Sequence, residues 1–147
     1  MARWGRQRCS GPLLAWCLYD WANSAFTTLV VTFLYSAYFS ENFAPDPGRG
    51  TALWSRGITV SALIIAGLAP IAGALADRGN RRHYLIGCSL VCVAATTALA
   101  FIRPDSSYAV VTALGVFVVA NVAFEIAMVF YNAFLPSIAR SDQIGRV

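Results

Sequence analysis

Two carboxylates, Asp20 and Glu125, stand inside long apolar stretches of this chain, and each has carboxamides at helical spacing beside it. Asp20 is followed by Asn23, Ser24 and Thr27, while Asn121, Glu125, Met128 and Asn132 recur at offsets of four, seven and eleven. Such spacing gathers each set on one face of a helix. A charged side chain deep in lipid costs at least about 2.5–3.5 kcal/mol on insertion scales, so these groups are expected to face protein or a water-filled cavity. The chemistry they offer is hydrogen bonding to a polar solute and proton binding. Two carboxylates sharing one cavity would make the protonatable site that proton-coupled transport requires.

The elements that must position them are membrane spans. The chain is 58% hydrophobic and 12% charged, with a mean hydropathy of +0.61, against roughly 25% charged in an ordinary soluble domain. About 20 mainly apolar residues cross a bilayer core, and four segments qualify: 13–39, 52–76, 84–102 and 108–135. The expected fold is all-α, with a cytoplasmic segment 1–12, a four-helix transmembrane region 13–136 and a cytoplasmic segment 137–147. On the first helix Asp20, Asn23, Ser24, Thr27, Tyr35 and Tyr38 fall within about 120° of arc at 3.6 residues per turn. Asp20 then lies roughly 10 Å, and Glu125 roughly 15 Å, inside the cytoplasmic ends of their spans.

Short-loop arginines set the orientation. Arg3, Arg6 and Arg8, then Arg78, Arg81 and Arg82, then Arg140 and Arg146 fall on one side, and Arg49, Arg56 and Arg103 on the other. Both termini are thereby placed in the cytoplasm. The basic start is not read as a cleaved leader, because the apolar run after it is too long and is interrupted by Asp20 and Asn23. The net charge of +4 is position-dependent and does not point to nucleic acid.

Other features read as packing or turns. Span two is rich in small residues, and pairs such as Ala62/Ala66 and Ala69/Gly73 would let helix backbones approach closely. Pro70 is expected to kink that span. Residues 40–50 read as the longest loop, and Arg103-Pro104-Asp105 as a tight turn making spans three and four antiparallel neighbours. Cys17, Cys88 and Cys92 lie inside spans and do not suggest a disulfide framework. Cys88 and Cys92 share a face, but two thiols make an incomplete metal site. Competing structural readings stand beside the functional ones: Asp20 as an interfacial cap, and Asn23, Asn121 and Asn132 as interhelical hydrogen bonds.

Three motifs carry a resemblance. Gly73-Ala-Leu-Ala-Asp77-Arg78-Gly79-Asn80-Arg81-Arg82 resembles the loop between helices two and three of the major facilitator superfamily, with Asn80 where a second glycine usually stands. Asn tolerates a left-handed backbone, so the turn can survive there. Tyr19-Asp-Trp-Ala-Asn-Ser-Ala-Phe26 and Phe130-Tyr-Asn-Ala-Phe-Leu-Pro136 resemble motifs of the vacuole-effluxer-like, autophagy-related permeases of that superfamily. The resemblance implies twelve spans in two halves, with helices one and four lining the path of a small solute, amino acids being suggested by vacuolar members. It also implies a gating role in alternating access for Gly73, Asp77, Arg78, Arg81 and Arg82, with Arg140 as a partner for Asp77. At 147 residues the chain would hold only four of those spans, so an incomplete fragment lacking the later helices is expected.

The expected partners are the lipid bilayer, a small-molecule substrate and the remaining helices of the same transporter. The expected site is the plasma membrane of a bacterium or the vacuolar membrane of a fungus. Alternatives are a small four-helix proton-coupled exporter working as a dimer, or a membrane interaction protein that does not transport. An enzyme is not expected: His83 is the sole histidine, no nucleophile motif is present, and no metal or cofactor motif appears.

Overall fold

The computed structural model describes residues 11–134, apart from Ser107. The expected residue Arg140 and the expected cytoplasmic segments 1–12 (save Gly11 and Pro12) and 137–147 therefore lie outside the described residues. The fold is helical, with no strand among the described residues. Helix α1 covers Gly11–Ala25, a π-helical stretch covers Phe26–Thr32, α2 covers Leu34–Asn42, α3 Pro47–Asp77, α4 Arg81–Leu99 and α5 Ala109–Asn132. Helices α3, α4 and α5 are each long and apolar enough to cross a membrane.

The segment 13–39 is not one regular α-helix. From Phe26 the backbone widens to five-residue hydrogen bonds, seen where the Phe33 amide donates to the Thr28 carbonyl over 3.0 Å. The Thr32 hydroxyl reaches back by the same offset to the Thr27 carbonyl. The α-helix resumes at Leu34, after Phe33 at φ −112° and ψ −76°. The indole Nε1 of Trp54 donates to a carbonyl of this stretch, that of Val31, over 3.2 Å.

Helix α3 begins five residues before the expected boundary because Asp46 caps it. The Asp46 carboxylate accepts from the Arg49 amide at 2.9 Å, and Pro47 supplies a first helical residue that has no amide to satisfy. The connection read as eleven residues of loop is therefore only residues 43–46. Pro70 lies inside α3, and the helix continues through it to Asp77.

Helix α5 is the central element and packs on both α3 and α4. Its buried positions, Ala113, Phe117, Ala120, Phe124, Ala127 and Phe130, recur at intervals of three and four and alternate small with large. At one end of the bundle Phe39, Phe43, Trp54 and Phe117 form an aromatic core, with Trp54 and Phe117 ring centroids 4.0 Å apart. At mid-depth Phe26 stacks on Phe124 at 4.9 Å. At the end carrying the turn from Asp77 to Arg82, Ala72, Ala76 and Phe130 close the core.

The close approach of α3 is not made where the small-residue pairs placed it. Ala62 and Ala66 are exposed, and nothing lies within 4 Å of where a Cβ on Gly73 would stand. Instead a Cβ on Gly50 would overlap the Ser40 backbone, and one on Gly57 would come within 3.1 Å of Leu114 Cδ2. Small residues lie nearly all round α3, so its packed face is chosen by Trp54 and the buried hydroxyl of Ser61.

Candidate solute groove

Helix α1, with the first turn of the widened stretch after it, and the second half of α5 face each other across a groove of about 340 Å³. Asp20, Asn23, Ser24 and Thr27 line it from one side, and Phe124, Glu125, Met128 and Asn132 from the other. Four of the five residues expected on a substrate or proton path, Asp20, Asn23, Glu125 and Asn132, thus line one space. Asp20 and Asn132 are exposed, and Glu125 is half-buried. Among the described residues neither carboxylate is in an ion pair; the pair present, Arg49 with Asp46 at 3.4 Å, belongs to the start of α3.

Several hydrogen bonds fix how the lining groups are presented. The Asn23 amide Nδ2 donates to Met128 Sδ at 3.0 Å, joining the two walls of the groove. The Ser24 hydroxyl donates to the Asp20 carbonyl, and the Thr27 hydroxyl to the Ser24 carbonyl, each at 3.0 Å. Below the groove, Tyr131 stacks on Trp16 at 4.7 Å and on Tyr19 at 5.1 Å, and its hydroxyl donates to the Trp16 carbonyl at 3.0 Å. Tyr19 in turn shares a 2.7 Å hydrogen bond with Ser89 of α4. These aromatic contacts seat α1 against α4 and α5.

Asn121 does not line the groove. Its Nδ2 donates to Ser61 Oγ of α3 over 2.8 Å, and Ser61 is fully buried. The polar stripe of the first helix also ends early. Tyr35 and Tyr38 lie past the widened turn, which shifts the residues after it out of the 3.6-residue frame. They join the aromatic cluster of the far end, where Tyr35 packs on Trp54 at 5.8 Å and Tyr38 on Phe43 at 5.7 Å.

The turn from Asp77 to Arg82 is built on Gly79, which takes φ +96°, the conformation that suits glycine. Asn80 is not the left-handed residue. It has φ −93° and opens α4, its carbonyl accepting from the His83 and Tyr84 amides. Asp77, Arg78 and Arg82 are exposed. Arg81 is turned inward: its guanidinium donates to the Ala133 carbonyl just past α5 and lies 5.3 Å from the Phe134 ring centroid. A cation at a helix C-terminus satisfies a carbonyl left without an intrahelical partner and complements the helix dipole. The motif thereby ties α4 to the end of the helix that carries Glu125. Trp54, Ser61 and the Arg81 contact were not read from the sequence; only the presence of an indole N–H and a hydroxyl in apolar spans signals that partners are required.

Residues 49–146 match the model of the vacuole effluxer Atg22-like family. The chain is also 32% identical over 136 residues to an uncharacterized MFS-type transporter, YxiO, of Bacillus subtilis (strain 168). That match covers 90% of this chain and 31% of the relative, so the chain spans about a third of the length of the curated relative it matches. No solved structure matches it significantly. With its apolar helices and these relatives, the chain is a membrane protein.

Proposed function

Because this chain belongs to the vacuole effluxer Atg22-like family of the major facilitator superfamily, we propose that it forms one wall of the solute path of a secondary transporter working by alternating access. The observation that carries this reading is the groove in which Asp20, Asn23, Glu125 and Asn132 meet between the first helix and α5. Carboxylates in lipid are costly, and a water-accessible path is the use that offsets the cost. The solute is small and polar, amino acids being the candidates that the family's vacuolar members suggest. The turn from Asp77 to Arg82 acts as a gate, with Arg81 latching α4 to the end of α5 in this conformation and releasing it in another. Both chain ends lie on the cytoplasmic side, where the arginines concentrate.

Uptake into proteoliposomes bearing the intact protein tests the reading. With a pH gradient imposed, Glu125→Gln is expected to abolish gradient-driven accumulation while leaving the protein folded. Accumulation equal to that of the parent protein would refute a role for Glu125.

A further inference from the structure

Resting on that reading of the groove, we propose that the groove recognises a protonated amine, seating an ammonium group between Asp20 and Glu125. The inference comes from counting donors and acceptors rather than from the two carboxylates alone. The Ser24 and Thr27 hydroxyl protons point to carbonyls of their own helix, so the oxygens of both side chains are left to the groove as acceptors. The Asn23 amide gives one N–H to Met128 Sδ, which leaves Asn23 its second N–H and its carbonyl oxygen. Asp20 and Glu125 as carboxylates only accept. In the described contacts the amide donors left to the groove are therefore one N–H of Asn23 and the amide of Asn132.

The described lining contains no arginine, lysine or histidine. Arg81, which lies near the same end of α5, donates to the Ala133 carbonyl. A wall rich in acceptors and carrying two carboxyl groups matches a ligand that is cationic and carries several donors. An ammonium brings three donors and no acceptor. A carboxylate or phosphate would meet two carboxylates and find donors only on the two carboxamides, Asn23 and Asn132. The apolar remainder of the lining, Phe124 and Met128, suits the carbon frame of such a solute, and about 340 Å³ holds a small molecule.

The test is equilibrium binding to the intact protein in nanodiscs, using three radiolabelled probes of one carbon frame: phenethylammonium, phenylalanine and 3-phenylpropionate. Phenethylammonium is expected to bind and 3-phenylpropionate not, with Asp20→Asn and Glu125→Gln each weakening the amine by about tenfold or more. The charge-keeping variants Asp20→Glu and Glu125→Asp are expected to retain most of the binding, which separates charge from folding. Binding of phenylalanine as well would identify the amine as part of an amino acid, and its absence would identify a simple amine. Binding of 3-phenylpropionate as tight as that of the amine, or no binding of either ammonium probe, overturns the proposal. If 3-phenylpropionate binds and is lost on substitution within the groove, only the amine class fails. If no substitution at Asp20, Asn23, Glu125 or Asn132 alters any probe, the solute path itself fails.

Discussion

Asn121 donates its side-chain amide to the fully buried hydroxyl of Ser61 over 2.8 Å, pinning α5 to α3 at a point where both helices are otherwise apolar. A carboxamide on the same helix as Glu125 is thereby committed to holding helices together. Interhelical hydrogen bonds of this kind are worth on average about 0.6 kcal/mol in membrane proteins and up to about 1.7. Asn121→Ala should lower stability within that range, read as a lower melting temperature in detergent. Uptake per folded molecule should stay unchanged, in contrast to Glu125→Gln.

Gly79 makes the turn before α4 possible. At φ +96° a side chain is strained, and the cost is of order 1–3 kcal/mol. Gly79→Val should therefore destabilise the protein measurably by thermal unfolding. Gly73→Ala, with no atom within 4 Å of the added methyl, should be neutral or stabilise by up to about 1 kcal/mol.

Gly50 and Gly57 give the opposite result from Gly73. A methyl on Gly50 meets the Ser40 backbone, which has no flexible end to move aside. Gly50→Ala should cost about 1–3 kcal/mol, the usual range for overpacking. Gly57→Ala meets a leucine methyl that can turn, and should cost less.

Arg81 is bonded to the end of α5 through the Ala133 carbonyl. Arg81→Gln removes the charge-assisted bond to the Ala133 carbonyl, a class of contact worth about 1.5–3 kcal/mol. Amide hydrogen exchange at the last turn of α5 should rise in this variant. Arg82→Gln, at an exposed side chain one residue on, should leave exchange there as it was.

Much of this architecture was legible from the chain. The hinge motif, the three long apolar helices and the helical spacing of Glu125, Met128 and Asn132 are local patterns, and local patterns survive folding. The widened turn at Phe26–Thr32 was not legible, because no glycine or proline marks it; it is stabilised by Trp54, distant in sequence. The packed face of α3 was hidden for another reason. Small residues surround that helix, so the decision fell to Trp54, Gly57 and Ser61 through their partners on other elements. Asn80 misled by its place in the motif, since the left-handed position belongs to the residue before it. The start of α3 at Asp46-Pro47 was missed, because residues 40–50 read as loop, although a capping residue followed by proline is the signal of a helix start.

The most direct test of the central claim is whether the groove is open to water in the membrane. The cysteines of the intact protein, Cys9, Cys17, Cys88 and Cys92 among them, are first replaced by alanine, and single cysteines are then introduced by Ser24→Cys, Asn132→Cys, Leu90→Cys and Val111→Cys. Each is exposed to a charged, membrane-impermeant maleimide in proteoliposomes that present both faces of the protein. Ser24→Cys and Asn132→Cys are predicted to react, since both positions line the groove. Leu90→Cys and Val111→Cys, on outward apolar faces, are predicted to stay unlabelled. A Ser24→Cys protein as inert as the Leu90→Cys protein would contradict the account.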